Sequence, residues 1–134
     1  MAERRVLHPV LSSEERRRLF LEGIDLFNRG DFFAAHEAWE EIWRSTTPEP
    51  RELFQGLVQV AAALHQALDL QRKIGPRNTL AKARSHLELY TPVACGLDIE
   101  NLLESVRQWQ EWLERDGERP AVPGIGIVDP QSVI

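Results

Sequence analysis

The sequence predicts an all-α protein, an antiparallel bundle of about five helices followed by an extended C-terminal tail that contains proline and glycine. Apolar residues recur at helical spacing in five segments, and capping residues, glycines and prolines separate these segments. No segment alternates polar and apolar residues as a half-buried strand does. The connections are short, which favours antiparallel neighbours. We expect a helix content above roughly 60%.

Capping signals define a hairpin of two helices at the start of this bundle. Ser12 and Glu15 have the spacing of a capping box, and the helix that they begin ends at Gly30. Gly30 should have a positive φ, as a helix-terminating glycine usually does. Asp31 can cap a second helix, from residue 32 to about residue 44.

Prolines and glycines delimit the other three helices. A third helix should follow the break at Thr47-Pro48 and cover residues 49–74. It is apolar on two sides, as far as Leu70 and Ile74, so it should pack on both sides and be the central helix. A fourth helix should start at Gly75-Pro76 and run to about residue 90, and Asp98 can cap a fifth that ends at Gly117. The chain is therefore expected to form a single domain over residues 1–134. It consists of a leader (1–11), a helical bundle (12–116) and an extended tail (117–134).

Composition narrows the class of protein. The chain has 134 residues, of which 43% are hydrophobic and 28% charged, and its one cysteine, Cys95, excludes an internal disulfide. The net charge of −5 disfavours nucleic-acid binding, because phosphate contacts need a basic surface. No apolar run approaches the roughly 18 residues of a membrane span, and the first residues lack the apolar core of a signal peptide. We therefore expect a cytoplasmic protein without a membrane partner.

The first two helices resemble one tetratricopeptide hairpin. The small and aromatic residues of that hairpin correspond to Gly23, Gly30, Asp31, Phe32, Ala35 and Trp39. The pattern covers one repeat, since Leu57 and Leu64 stand where its glycines would recur, and an array needs about three repeats. We expect a similar hairpin and not a tetratricopeptide protein.

Candidate chemistry is concentrated between the second and third helices. His36 and Glu40 lie one turn apart on the same face, so they can chelate a divalent ion or share a proton. A metal needs further ligands, and the third helix offers His65 and a narrow polar face, formed by Arg51, Gln55, Gln59, Gln66, Asp69 and Lys73. If the two helices are neighbours, some of these residues can approach His36 and Glu40, and both histidines should reach one polar cluster that includes Glu40 and one of Gln55 or Gln59.

The same residues also have a structural interpretation. A histidine at the margin of a core, hydrogen-bonded to a Glu or Gln of a neighbouring helix, often only stabilises the fold. Glu37 is then part of a solvated face, whereas in a catalytic site it would be a general base or a residue that supports a metal ligand from behind. The four tryptophans are expected to fill the core or an interface. Cys95 has no histidine at a motif spacing, which argues against a nucleophilic role.

Charge is unevenly distributed along the second half of the chain. Residues 71–87 carry five basic residues and no acid, whereas residues 98–118 carry seven acids and two arginines. Such faces can remain solvated, pair two copies head to tail or recruit a charged partner. The basic segment could also hold a phosphate or a strand of RNA, although no aromatic residue is interleaved for base stacking.

Two motifs together resemble a known family. They are Asn28-x-Gly30-x-Phe32-Phe33-x-Ala35-His36-Glu37-x-x-Glu40-x-x-Trp43 and Phe54-Gln55-Gly56-Leu57-x-Gln59-x-Ala61-Ala62-x-x-His65. Over about residues 12–90 the chain is similar to small microbial proteins catalogued as domain of unknown function 309. The resemblance implies a small all-helical fold and a metal-dependent hydrolase, and it gives weight to His36, Glu37, Glu40, Gln55, Gln59 and His65.

Two hypotheses for function follow from these observations. The first is a metal-dependent hydrolase or metal-binding protein, with a divalent metal held by His36, Glu40 and His65, with Glu37 and Glu40 as catalytic groups, and with Gln55 and Gln59 also contacting the bound group. The second is a non-catalytic interaction module that docks a partner on the hairpin of the first two helices. The ligand would be a small molecule or a protein, and a homo-oligomer is compatible with either hypothesis.

Overall fold

A computed structural model describes residues 11–45 and 50–133 and has the predicted all-α architecture. Its five α-helices are α1 (Ser13–Asn28), α2 (Phe32–Ser45), α3 (Arg51–Leu64), α4 (Ile74–Leu87) and α5 (Ile99–Arg115). Helices of all kinds cover 72% of the described residues, which confirms the expected content. Each helix packs against the next one in the sequence. The leader up to residue 10 and the break at Thr47-Pro48 lie outside the described residues.

The predicted caps and the predicted turn are present in the first hairpin. The Ser12 hydroxyl accepts from the backbone N–H of Glu15 at 3.1 Å, and the Glu15 carboxylate accepts from the backbone N–H of Ser12 at 2.9 Å. Gly30 has a φ of 84°. The Asp31 carboxylate accepts from the backbone N–H of Ala34 at 3.3 Å, so local sequence signals set both helix starts.

Aromatic side chains fill the space between the first three helices. The rings of Phe20 and Phe54 are 5.1 Å apart, and those of Phe27 and Trp39 are 5.9 Å apart. All four side chains are fully buried. Trp43 is half-buried instead, and the Arg51 guanidinium lies over its ring at 5.0 Å, which ties α2 to α3.

The third helix is shorter than predicted. α3 ends at Leu64 and continues as a π-helix over His65–Asp69, and the backbone leaves helical geometry at Gln71, whose φ is 54°. The predicted continuous helix to residue 74 is therefore wrong at its C-terminal end. Leu70 and Ile74, expected on an apolar inner face, are 46% and 69% exposed. Leu70 directly follows the end of the π-helix, and Ile74 lies beyond the change of direction at Gln71.

A short β-ribbon between α4 and α5 was not predicted. β1 (Val93–Ala94) and β2 (Leu97–Asp98) pair antiparallel, and the connecting residues Cys95 and Gly96 both have positive φ, 49° and 78°. A two-residue turn of this type matches the twist of a hairpin. Each strand contains two residues, which is too short for an alternation of polar and apolar residues to be recognised in the sequence. Asp98 caps α5 as predicted, accepting from the Asn101 backbone N–H at 3.0 Å.

The C-terminal tail returns to the first helix, and it is non-helical apart from a 3-10 turn, Pro130–Ser132. The side chain of Asn28 makes two hydrogen bonds with the backbone of Ile125, and Arg17 donates to the carbonyls of Pro130 and Val133. Ile125 is buried, whereas Ile127 and Val128 are 40% and 54% exposed.

Within the described ranges, none of the helices combines the length and the apolar character that a membrane crossing requires.

Candidate functional site

α2 and the π-helix that follows α3 bring His36 and His65 to the same pocket. It has a volume of about 170 Å³, and its walls are Phe33, His36, Ala62, His65 and Gln66. The Phe33 ring lies near both imidazoles, with its centroid 6.4 Å from that of His36 and 5.0 Å from that of His65. Phe33 is 51% exposed, so the pocket opens to solvent beside an apolar ring.

His36 has a carboxylate near each ring nitrogen but a hydrogen bond to neither. Its Nε2 lies 3.6 Å from Oε2 of Glu40, and its Nδ1 lies 3.7 Å from Oε2 of Glu37. Nδ1 is buried and has no hydrogen-bond partner among the described residues. Glu40 also pairs with Arg44 at 3.2 Å. The imidazole is thus surrounded by negative charge, and neither carboxylate satisfies its buried nitrogen.

His65, in contrast, is held by a neighbour within the π-helix. Its Nδ1 lies 2.7 Å from Oδ2 of Asp69, a hydrogen bond in which the imidazole donates to the carboxylate. With the proton on Nδ1, Nε2 keeps a free lone pair. Carboxylate–histidine pairs of this kind orient the imidazoles that bind metals or take protons.

The two glutamines lie apart from the pocket between the histidines. Oε1 of Gln59 is 3.0 Å from Nδ1 of His86, so this side chain links α3 to α4. Gln55 is half-buried and makes no side-chain hydrogen bond to the described part of the chain. The structure thus brings Gln59 to His86, a residue for which the sequence suggested no partner.

The geometry provides part of a metal site. Two ligand atoms about 2.0–2.1 Å from one tetrahedral ion lie roughly 3.3 Å from each other, close to the 3.6 Å between His36 Nε2 and Glu40 Oε2. Within residues 11–45 and 50–133, however, no three His, Cys, Asp or Glu side chains are close enough to hold an ion. His36 and Glu40 can therefore act as a chelating pair, and a third protein ligand is not in position.

Cys95 is a poor nucleophile in this fold. The side chain is half-buried in the β-turn, and burial raises the pKa of its thiol, an effect that the positive charge of Arg16 only partly offsets. A raised pKa disfavours the thiolate, which is the reactive form.

Phe33 is the pocket residue that sequence reasoning did not place at the site. It was within reach of the spacing rule that identified His36 and Glu40, because it lies three residues before His36 on the same helix. Gln66 and Asp69 are among the polar residues of the third helix that were candidates to approach His36 and Glu40. Gln66 lines the pocket, and it lies in the π-helix, which changes the angular position of the residues that follow Leu64.

The fold and the pocket define a class of protein: an all-α bundle with a histidine–glutamate pair, His36 and Glu40, on its second helix. Residues 20–76 match the family described as Domain of unknown function (DUF309), which confirms the resemblance inferred from the sequence. The matched segment contains α2, α3 and both pocket histidines, and it ends before α5 and the tail. None of the curated proteins matches the chain.

Proposed function

We propose that the chain binds a divalent metal ion through His36 and Glu40 and acts as a hydrolase, with His65, the first residue of the π-helix, moving toward the ion to become a third ligand. The main support is the 3.6 Å separation of His36 Nε2 and Glu40 Oε2 at the edge of a pocket that both histidines line. A bound ion would act as a Lewis acid and lower the pKa of a water molecule in the pocket.

The unpartnered nitrogen of His36 also supports a functional origin for this cluster. Leaving a buried polar atom without a hydrogen bond costs about 1–3 kcal/mol, so purely structural clusters usually avoid it. Here Nδ1 of His36 is left in that state although Glu37 is only 3.7 Å away. Because the proposed ion binds Nε2, this cost at Nδ1 indicates that His36 is not placed for stability alone, and it does not itself locate the ion.

The neighbouring groups have separate roles in this proposal. Arg44 orients the Glu40 carboxylate, and Asp69 fixes the His65 ring so that Nε2 accepts. Glu37, which is half-exposed, is the general base that removes a proton from the attacking water. Phe33 forms an apolar wall, and a volume of about 170 Å³ admits only a small substrate or the reacting end of a larger one.

Isothermal titration of the full chain with Zn²⁺ and with Mn²⁺ tests the metal site. We expect one ion per chain, and at least about tenfold weaker binding for His36→Ala and for Glu40→Gln, because each removes one ligand. His86→Ala is the matched control, since it removes a histidine bonded to Gln59 outside the pocket. Equal affinity in wild type and His36→Ala would refute the site.

The hydrolytic part of the proposal requires a separate assay. Wild type and Glu37→Gln are compared on a panel of small esters, amides and phosphate monoesters in the presence of the metal that binds. Turnover that Glu37→Gln lowers by about 10²-fold or more while metal affinity is kept would support the general-base role. Metal binding without turnover on any class of substrate would reduce the function to metal binding alone.

A second candidate function is protein interaction through the α1–α2 hairpin. It is supported by Phe33, a large apolar side chain that is half-exposed on this hairpin. Sedimentation of wild type and of Phe33→Ser would show whether copies of the chain associate through this residue. An unchanged, monomeric mass for both would count against a homo-oligomer formed on this surface.

A further inference from the structure

A second pocket lies where the π-helix gives way to α4. Its volume is about 180 Å³, and it is lined by Ala67, Leu68, Gln71, Arg72, Lys73, Trp112 and Arg119. The histidine pocket uses His65 and Gln66 of the same π-helix. The two pockets therefore share a short helical segment but have no wall residue in common.

Three cationic side chains line this second pocket, and two of them are unpaired. Lys73 forms an ion pair with Asp116. Arg72 and Arg119 have no side-chain hydrogen bond or ion pair with the part of the chain that the structure describes. On the neighbouring helices, by contrast, Arg84 and Arg107 each pair with a glutamate. Two uncompensated guanidinium charges thus share one small concavity, which favours a ligand with two negative charges.

The other walls increase the effect of these charges. Trp112 presents its ring to Lys73, whose Nζ lies 5.3 Å from the ring centroid, and its indole N–H donates to the carbonyl of Gly117 at 3.2 Å. Trp112 and Leu68 give the pocket an apolar wall beside these charges. Lys73 is also the N-cap of α4, and no side chain caps that helix, so the positive end of its dipole adds to the potential.

Acidic residues lie in a neighbouring groove that shares Trp112 with this pocket. Asp116 and Glu118 line that groove together with Glu111, which pairs with Arg115. Trp112 and Arg119 line both concavities, so these two side chains form the boundary between a cationic pocket and an acidic groove. This arrangement confines an anion to the cationic side and opposes the binding of an extended polyanion across both.

We propose that this pocket binds a phosphate-class dianion, either free phosphate or the phosphoryl group of a small ester. The planar, multiply donating guanidiniums of Arg72 and Arg119 match the geometry of phosphate oxygens, and their two positive charges balance those of the ligand. The cavity is large enough for a phosphoryl group and a few additional atoms. The site is separate from the proposed metal site and does not depend on it.

Calorimetric titration of the full chain tests this site, with inorganic phosphate and with glycerol 3-phosphate as probes. The buffer contains a chelator, so that phosphate cannot bind through a metal ion, and its ionic strength is fixed with chloride. We expect one probe molecule per chain, and affinity at least about tenfold weaker for Arg72→Gln and for Arg119→Gln. Binding of phosphate alone would identify free phosphate as the ligand, and preference for the ester would identify a phosphoryl group.

The matched control is Lys82→Gln, which removes an equal charge from an exposed position on α4 outside the pocket. Its affinity should equal that of wild type. An equal loss in Lys82→Gln would show that only the overall charge attracts the anion and would overturn the proposal, as would the absence of binding by either probe. Trp112→Phe provides a second measurement, because it should abolish any change in tryptophan fluorescence on phosphate addition while the variant still binds phosphate.

Discussion

The indole of Trp39 packs directly against the backbone of Gly23. A Cβ built on Gly23 would lie 2.2 Å from Nε1 and 2.6 Å from Cδ1 of that ring, closer than real Cβ atoms approach any neighbour. Nε1 also donates to the carbonyl of Phe20 at 3.2 Å, so the ring cannot simply move away. α1 and α2 therefore reach their observed separation only because residue 23 has no side chain.

Replacing Gly23 with alanine should destabilise the hairpin despite the better helix propensity of alanine. The added methyl group overpacks the site, and overpacking of a tight core costs about 1–3 kcal/mol. Urea unfolding of Gly23→Ala should show a lower midpoint, and the loss should shrink in the Trp39→Phe background, where the clashing part of the indole is absent. Gly126→Ala is the control, because its new Cβ would meet an atom at the ordinary distance of 3.7 Å. Equal midpoints for Gly23→Ala and wild type would contradict the close packing.

The resemblance to a tetratricopeptide hairpin located this contact from the sequence. Small and aromatic residues at fixed offsets encode a close helix crossing, and capping residues encode the ends of the helices, so both signals are local. The β-ribbon and the end of α3 were not predictable in this way. The backbone at Gln71 and Cys95 adopts positive φ although neither residue type favours it, and tertiary packing must impose that conformation.

Gly30 should tolerate asparagine better than valine. Its φ of 84° strains residues with a Cβ, and a new Cβ would meet no atom within 4 Å, so backbone conformation alone sets the cost. Gly30→Val should lose about 1–3 kcal/mol of unfolding free energy. Gly30→Asn should lose less, because asparagine populates the left-handed region more readily than branched residues do. Chemical denaturation of the two variants measures the difference, and an equal loss for both would show that φ is not the cause.

In the candidate site, too, contacts within one helix could be predicted from the sequence, whereas contacts between helices could not. The approach of His36 to Glu40 follows from a spacing of four residues on a helix, and the sequence was sufficient to predict it. The bond between Gln59 and His86 joins α3 to α4, so it depends on how the two helices rotate against each other. Periodicity gives the buried face of each helix but not this relative rotation, which the packing of whole side chains determines.

Asn28 should be the main attachment of the C-terminal tail to α1. Its side chain donates to the carbonyl of Ile125 at 3.0 Å and accepts from the backbone N–H of Ile125 at 2.7 Å. Asn28→Ala leaves both part-buried groups without their partner, at a cost of about 1–3 kcal/mol. Hydrogen exchange at the amide of Ile125 should accelerate, whereas Asn78→Ala, at an exposed position on α4, should leave that rate unchanged. An unaltered exchange rate in Asn28→Ala would show that other contacts, such as those of Arg17, hold the tail.

The capping box at the start of α1 should make stability depend on acidic pH. The hydrogen bond from the backbone N–H of Ser12 lowers the pKa of Glu15, with smaller contributions from the Ser12 side chain and the charge of Arg18. A carboxylate whose folded pKa lies below its unfolded value stabilises the fold above the unfolded pKa, and this contribution is lost as the pH falls through the folded pKa. Glu15→Gln does not titrate, so the stability advantage of wild type over this variant should decline as the pH drops below the ordinary glutamate value of about 4.3.

Urea unfolding of both proteins between neutral and acidic pH measures this decline, and Glu14→Gln controls for the loss of one acidic charge in the same helical turn. An NMR titration of the Glu15 carboxyl gives its folded pKa independently. The difference in unfolding free energy between wild type and Glu15→Gln could instead stay constant with pH or increase as the pH falls. Either result would show that the carboxylate of Glu15 is not preferentially stabilised in the folded chain.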